Sequence, residues 1–324
     1  MSFRTKFIEL FKEIGVKYPI VSAPMAYVTS VELATQVTRA GGLGFIPAGV
    51  STAEGLDQDL TRAKHLFDNG PTEILPIGVG FFNFILDSQT GRDEKHVPSA
   101  LKTVLSHKPA AVWFTFVESA ITSANLGVDV IVAQGCDSGG HGLANNASAL
   151  TLVPETIDAL NDCKNGHIPV LAAGGIMDGR GLTAMLVLGA SGVVMGTRFA
   201  ASRESLSKPA AKEMLVNARD GGVCTVRTSV FDNLKQPNIW PKKFDGRALK
   251  NKTFEEGDID FGDEEKTAER RRIYSDAVKN GDYSRAVIYA GTGIGLAKEI
   301  MSAKEIIEST MNEARTIMGS VAKL

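Results

Sequence analysis

The stretch Ala133-Gln-Gly-Cys-Asp-Ser-Gly-Gly-His-Gly142 is the most chemically suggestive part of the chain. An imidazole is the side chain best matched to proton transfer near neutral pH. Glycines on both sides of His141 let the backbone bring that ring over a flat ligand. A histidine that only fills a core or a surface would not need three glycines around it. A capping role in a loop is the plain alternative. Cys136 lies in the same stretch, where a thiol nucleophile is conceivable chemistry; with no base or cation beside it in sequence, it reads as lining. His65, His96, His107 and His167 lack a comparable context and read as surface residues.

A second constellation suits an anion. Val170-Leu-Ala-Ala-Gly-Gly-Ile176 precedes Asp178-Gly-Arg-Gly181, and Gly192-Val-Val-Met-Gly-Thr-Arg-Phe199 follows with Gly174 and Gly196 22 residues apart. Each glycine pair alone would be a tight turn. Two such turns, each ending an apolar run and opening a helix, can present backbone N–H groups to one phosphate. Pro24-Met25 closes the first apolar run; proline there costs no ladder bond, and methionine can lie on a ring system or simply fill the core. Tyr289-Ala-Gly-Thr-Gly-Ile-Gly295 lacks the lysine of a nucleotide-binding loop and reads as a close-approach turn near the ligand.

These residues need a scaffold. Apolar runs occur at Pro19–Met25, Gly42–Ala48, Ile74–Phe82, Ala110–Phe116, Asp129–Gln134, Ile168–Ile176 and Gly192–Phe199. Most lack strict alternation, as expected for parallel strands buried on both faces. Helix-period segments lie between them, such as Val31–Arg39 before Gly41-Gly42 and Gly179–Leu188 before Gly189. Glycines cluster where the runs end, which favours a closed barrel with ligands at one face over an open sheet with a single early glycine turn. The fold class expected is an α/β (β/α)8 TIM-type barrel. Seven runs are visible. The eighth strand is sought within Asp87–Val97 or near the C-terminus; failing that, the barrel lacks one β/α unit. Residues 1–231 and 286–324 form the barrel in this reading. Residues 232–285, with 12 acidic and 12 basic side chains, carry twice the chain's 22% charged fraction and read as a mainly helical lid insertion. A final helix near Leu296–Met318 presents Ile300, Ile306, Ile307, Met311 and Ile317 to the barrel wall.

Composition limits the rest. The 324 residues carry 35 Lys and Arg against 37 Asp and Glu, and 44% are hydrophobic. No basic excess exists to neutralise nucleic-acid phosphates, and no apolar run is long enough to span a membrane. The first twenty residues lack the apolar core of a secretion signal. Cys136, Cys163 and Cys224 are too few and scattered for a disulfide framework or a metal site, so no metal is expected. The ending Ala322-Lys323-Leu324 reads as a peroxisomal address in a eukaryotic source and as an ordinary helix end in a bacterial one, where the cytoplasm is expected.

Together the motifs resemble the nitronate monooxygenase family, within a wider group of FMN-binding barrels. Ala-Pro-Met at 23–25, Gly-Gly-Leu-Gly-Phe-Ile-Pro at 41–47, Gln-Gly-Cys-Asp-Ser-Gly-Gly-His-Gly at 134–142, Ala-Ala-Gly-Gly-Ile at 172–176 and Met-Gly-Thr-Arg-Phe at 195–199 carry the resemblance. It implies noncovalent FMN. Ala23, Pro24 and Met25 would approach the isoalloxazine, Gln134 and Gly139 would contact the flavin, and Gly174, Gly175, Met195, Gly196 and Thr197 would hold the phosphate. His141 would abstract the α-proton of a nitroalkane or stabilise its nitronate. The partners implied are a small nitronate and O2, with a homodimer as the assembly to test. Relatives often carry Asn where Gly80 stands, and normally place a helix and strand between the equivalents of Phe116 and Ile121. An NAD(P)H-dependent FMN reductase of an enoyl thioester or quinone, and a non-catalytic flavin-binding protein, are the alternatives.

Overall fold

The computed structural model describes residues 5–49, 51–67, 74–82, 96–115, 119–162, 167–257 and 262–323. Seven parallel strands build the core: β1 (Ile20–Ser22), β2 (Phe45–Pro47), β3 (Leu75–Phe82), β4 (Pro109–Thr115), β5 (Ile131–Gln134), β7 (Val170–Ala173) and β8 (Gly192–Met195). Pairing runs β5-β7-β8-β1 and β2-β3-β4. The two sets join where Val21 bridges Leu43 in parallel, with Ser22 N–H donating to Leu43 O at 3.1 Å. One curved wall of seven strands results, in the TIM-type α/β barrel expected. Among the described residues, β4 and β5 do not pair, so the seam falls where the sequence leaves room for only a short helix, Ala120–Asn125. Most of the Asp87–Val97 segment, and Phe116, lie outside the described residues. None of the strands found lies near the C-terminus; the last ends at Leu249.

The helices after β1, β2 and β7 each open on a side-chain cap. Ser30 accepts from Leu33 N–H ahead of Val31–Arg39, Thr52 from Gly55 N–H ahead of Ala53–Leu66, and Asp178 from Arg180 and Gly181 N–H ahead of Gly179–Val187. The barrel interior joins Val21, Phe45, Leu171, Ala173 and Val194, with Trp113 and Val132, over Phe7 and Ile8 of the first helix. Phe45 meets Trp113 edge-on, centroids 5.3 Å apart. Gly78 makes room for this: a Cβ there would stand 2.1 Å from Phe45 Cε1. The outer layer sets helices Val31–Arg39, Ala149–Asn161, Gly179–Val187 and Ala303–Val321 against the strands.

The final helix starts later than the apolar spacing suggested, at Ala303, because Ser302 makes a full capping box. Its hydroxyl accepts from Glu305 N–H at 3.2 Å while Glu305 Oε2 accepts from Ser302 N–H at 2.7 Å. Ile306, Ile307 and Met311 then face the barrel. Ser302→Ala is expected to lower stability by about 1 kcal/mol, read as a fall in the urea midpoint with unchanged slope.

A second sheet was not legible in the sequence. β6 (Gly140–Leu143), β10 (Phe244–Leu249) and β9 (Thr225–Thr228) form an antiparallel sheet in that order. His141 therefore sits on a strand opposite Gly246, not in a loop. Gly-His-Gly-Leu has little intrinsic strand preference, and its partner lies a hundred residues away. Around this sheet, Val230, Phe231, Leu234, Ala248 and Tyr274 form a small apolar cluster. His107 also departs from the surface reading: it is buried, with Nε2 2.8 Å from Asp57 Oδ1.

Candidate active site

The four glycine turns meet at the carboxyl ends of the strands. After β7, Gly174 and Gly175 take φ of +115° and +71°. A Cβ on Gly174 would stand 3.1 Å from both Gly135 O and Ser138 N, and one on Gly175 would stand 3.3 Å from Asp137 Cβ. Thr292 N–H donates to Asp137 O at 3.0 Å, and Gly291 N–H donates to Thr197 Oγ1 at 3.0 Å. Gly139 packs on the Ala290–Gly291 peptide, where a Cβ would come within 2.6 Å. The turns after β5, β7 and β8 and the turn at 289–295 thus form one cluster.

The first strand joins it. Ala23 N–H donates to Met195 O at 3.1 Å. Met25 Sδ and Ala23 Cβ lie 3.6 and 3.7 Å from where a Gly196 Cβ would be, and the Pro24 ring abuts Gly80. The side chain of Met195 is fully buried in the core, so only its backbone can face the turn. Gln134, at the end of β5, donates from Nε2 to Ser138 Oγ at 2.9 Å and to His141 O at 2.8 Å. It ties the anion-suited turns to the histidine strand. The sequence-derived set is therefore brought together as one group, with glycine backbone, free of Cβ atoms, at Gly174, Gly175 and Gly196. That cradle suits a phosphate.

The surroundings of His141 are the part that sequence reasoning missed. Its Nε2 lies 2.8 Å from Asp232 Oδ2, and both side chains are at least nine-tenths buried. Tyr289 OH donates to Asp232 Oδ1 at 3.4 Å, and Lys235 Nζ donates to Tyr289 OH at 3.2 Å. Trp240 stacks flat on the imidazole, centroids 3.5 Å apart and planes within 4°. The expectation of an imidazole lying over a flat ligand thus meets a protein ring on that face. Trp240 also meets Phe82 at the end of β3, centroids 5.5 Å apart. Burial pushes the His141 pKa below its ordinary value of 6.5, against the opposing pull of Asp232. Burial, and then Asp232, push the Tyr289 phenol well above its ordinary range. Burial thus favours the neutral form of an imidazole held beside the Asp232 side chain. Asp232 and Trp240 were visible only as members of a charged segment, and Tyr289 only as the start of a glycine turn.

No helix among the described residues is long and apolar enough to cross a membrane. The chain matches the family described as nitronate monooxygenase over residues 8–80 and 91–313. It is 35% identical to the nitronate monooxygenase npaC of Metarhizium robertsii over 93% of this chain and 92% of that one. The alignment spans 350 positions, so the relative carries residues that this chain lacks. Among solved structures, a nitroalkane oxidase from Streptomyces ansochromogenes superposes with a TM-score of 0.76 at 26% identity, over 97% of this chain and 99% of that one. FabK from Thermotoga maritima gives the same TM-score and identity over 99% of both chains. A match of this extent, on the barrel and glycine turns described above, means that the chain belongs to the nitronate monooxygenase family.

Proposed function

We propose that the protein oxidises alkyl nitronates, and nitroalkanes that it first deprotonates, with noncovalently bound FMN and O2, to carbonyl compounds and nitrite. The observation that carries this reading is the convergence of glycine turns on a buried, neutral histidine at the strand ends. The residues present suit FMN: Gly174 and Gly175, both at positive φ, bend the chain where β7 ends, and the backbone at Met195, Gly196 and Thr197 would complete a phosphate cradle. Ala23, Pro24, Met25, Gln134 and Gly139 line the side where the ring would lie. Bound FMN supplies electron acceptance from the substrate and onward delivery to O2. His141 accepts the α-proton of a neutral nitroalkane and afterwards holds it beside the anion. Residues 232–285 supply Asp232, Lys235 and Trp240 and act as the cover over His141, limiting water there.

Anaerobic mixing is the test. The FMN-loaded protein is expected to bleach with a nitronate and to regain colour when O2 is admitted. NAD(P)H alone should leave the flavin oxidised. Rapid bleaching by NAD(P)H, with none by nitronate, would replace this reading with the reductase. No bleaching by either would leave a flavin-binding protein without turnover.

A further inference from the structure

The imidazole of His141 is fixed from two directions. Asp232, on the short helix Val230–Leu234, meets it in the ring plane at Nε2, and Trp240 covers its face. Together these oppose rotation of the ring. A carboxylate only accepts hydrogen bonds, so a neutral imidazole facing one at 2.8 Å carries its proton on Nε2. Nδ1 then bears the lone pair, and among the described residues it makes no hydrogen bond. We propose that Asp232 is the positioning residue of His141: it holds the Nε2–H form, so that Nδ1 takes the α-proton of the nitroalkane. This rests on the reading above that His141 is the base.

The step balances within the site. The substrate Cα–H bond breaks and a new N–H bond forms at Nδ1. The electron pair left on carbon moves into the nitro group and gives the nitronate. The positive charge gained by the ring lies against the Asp232 carboxylate, whose side chain is only 3% exposed. A carboxylate so buried needs compensation. Tyr289 OH supplies a hydrogen bond, Lys235 Nζ at 3.8 Å supplies charge, and the imidazolium supplies more when it forms. The groups that act on His141 from the surrounding elements are Asp232 on the helix, Lys235 at its C-terminal cap, Asp245 on β10 and Tyr289 on the returning turn. Asp232 and Asp245 favour the protonated ring; Lys235 disfavours it. Tyr289 stays a neutral phenol across the working range. Losing the Asp232 charge therefore makes the base weaker and frees its tautomer.

Two measurements on the FMN-loaded full chain test this. Long-range 1H–15N correlation with labelled histidine, assigned by the signals lost in His141→Gln, should show wild-type His141 protonated at Nε2 and bare at Nδ1 above its pKa. Asp232→Asn should lose that form and titrate at lower pH. In kinetics, Asp232→Asn should lower kcat/KM for a neutral nitroalkane by at least roughly 10–100-fold, the range for an outer partner that orients a metal-bound imidazole. Preformed nitronate, which needs no base, should change by less than about threefold. The acid limb of the nitroalkane profile should move down in pH. A wild-type ring protonated at Nδ1 overturns the proposal whether or not the variant folds, as do equal losses on both substrates with an unmoved limb. An intact Nε2–H signal without turnover of either substrate overturns the functional reading while leaving the Asp232 pairing in place.

Discussion

His141→Ala is expected to lower kcat/KM for a neutral nitroalkane by roughly 10²–10⁴-fold, the usual contribution of a positioned general base. FMN binding should persist, because the anion-suited turns are built by Gly174, Gly175, Gly196 and the 290–295 segment, none of which uses the imidazole. Turnover of preformed nitronate should fall much less, since its α-proton is already gone. The pH profile gives a second check with a definite sign. The base works only when unprotonated, and burial sets its pKa below 6.5. Wild-type turnover of nitroalkane should hold above that value and decline as pH falls through the lowered pKa. The alanine variant should lose this limb altogether. Equal losses on both substrates would show that His141 does not abstract the proton.

Gly174→Val should produce protein that purifies without colour and binds FMN roughly 100-fold more weakly. Two effects combine. At φ +115° an L side chain is strained, at a cost of about 1–3 kcal/mol, and relief of that strain moves the peptide out of the cradle. The new Cβ also stands 3.1 Å from Gly135 O and Ser138 N, pressing the turn after β7 against the turn after β5. The position lies in a turn outside the strands, so far-UV circular dichroism should stay near wild type. Fluorescence titration of the apoprotein with FMN reads the affinity. Wild-type FMN binding in a folded variant would mean that the Gly174 turn does not hold the cofactor.

The legible part of this protein is its local grammar. Seven apolar runs, most without strict alternation, marked seven parallel strands, and Gly41 and Gly189, both at positive φ, marked where helices stop. The glycine-flanked His141 and the turns at 174–175 and 196–197 declared themselves because glycine in a run of strand formers is costly unless backbone must come close. The short span between β4 and β5 marked the seam at which, among the described residues, those two strands do not pair. All of these are short-range signals, carried by residues within a few positions of each other.

What the sequence could not display is pairing between distant residues. Asp232 lies 91 residues from His141, and only the antiparallel sheet of β6, β10 and β9 sets the helix Val230–Leu234 beside the histidine strand. Trp240 looked like one residue in a polar segment until folding laid it on the imidazole. An aspartate on a surface helix and one buried against a histidine have the same letter. Burial and hydrogen bonding, which shift proton affinity, are properties of the folded surroundings and not of residue type. The chain by itself therefore pointed to the backbone suited to bend around an anion and to the side chain proposed to move a proton. The tertiary structure alone decided which nitrogen of that side chain is tied to a carboxylate, because desolvation and contact arise only when distant segments close on one another.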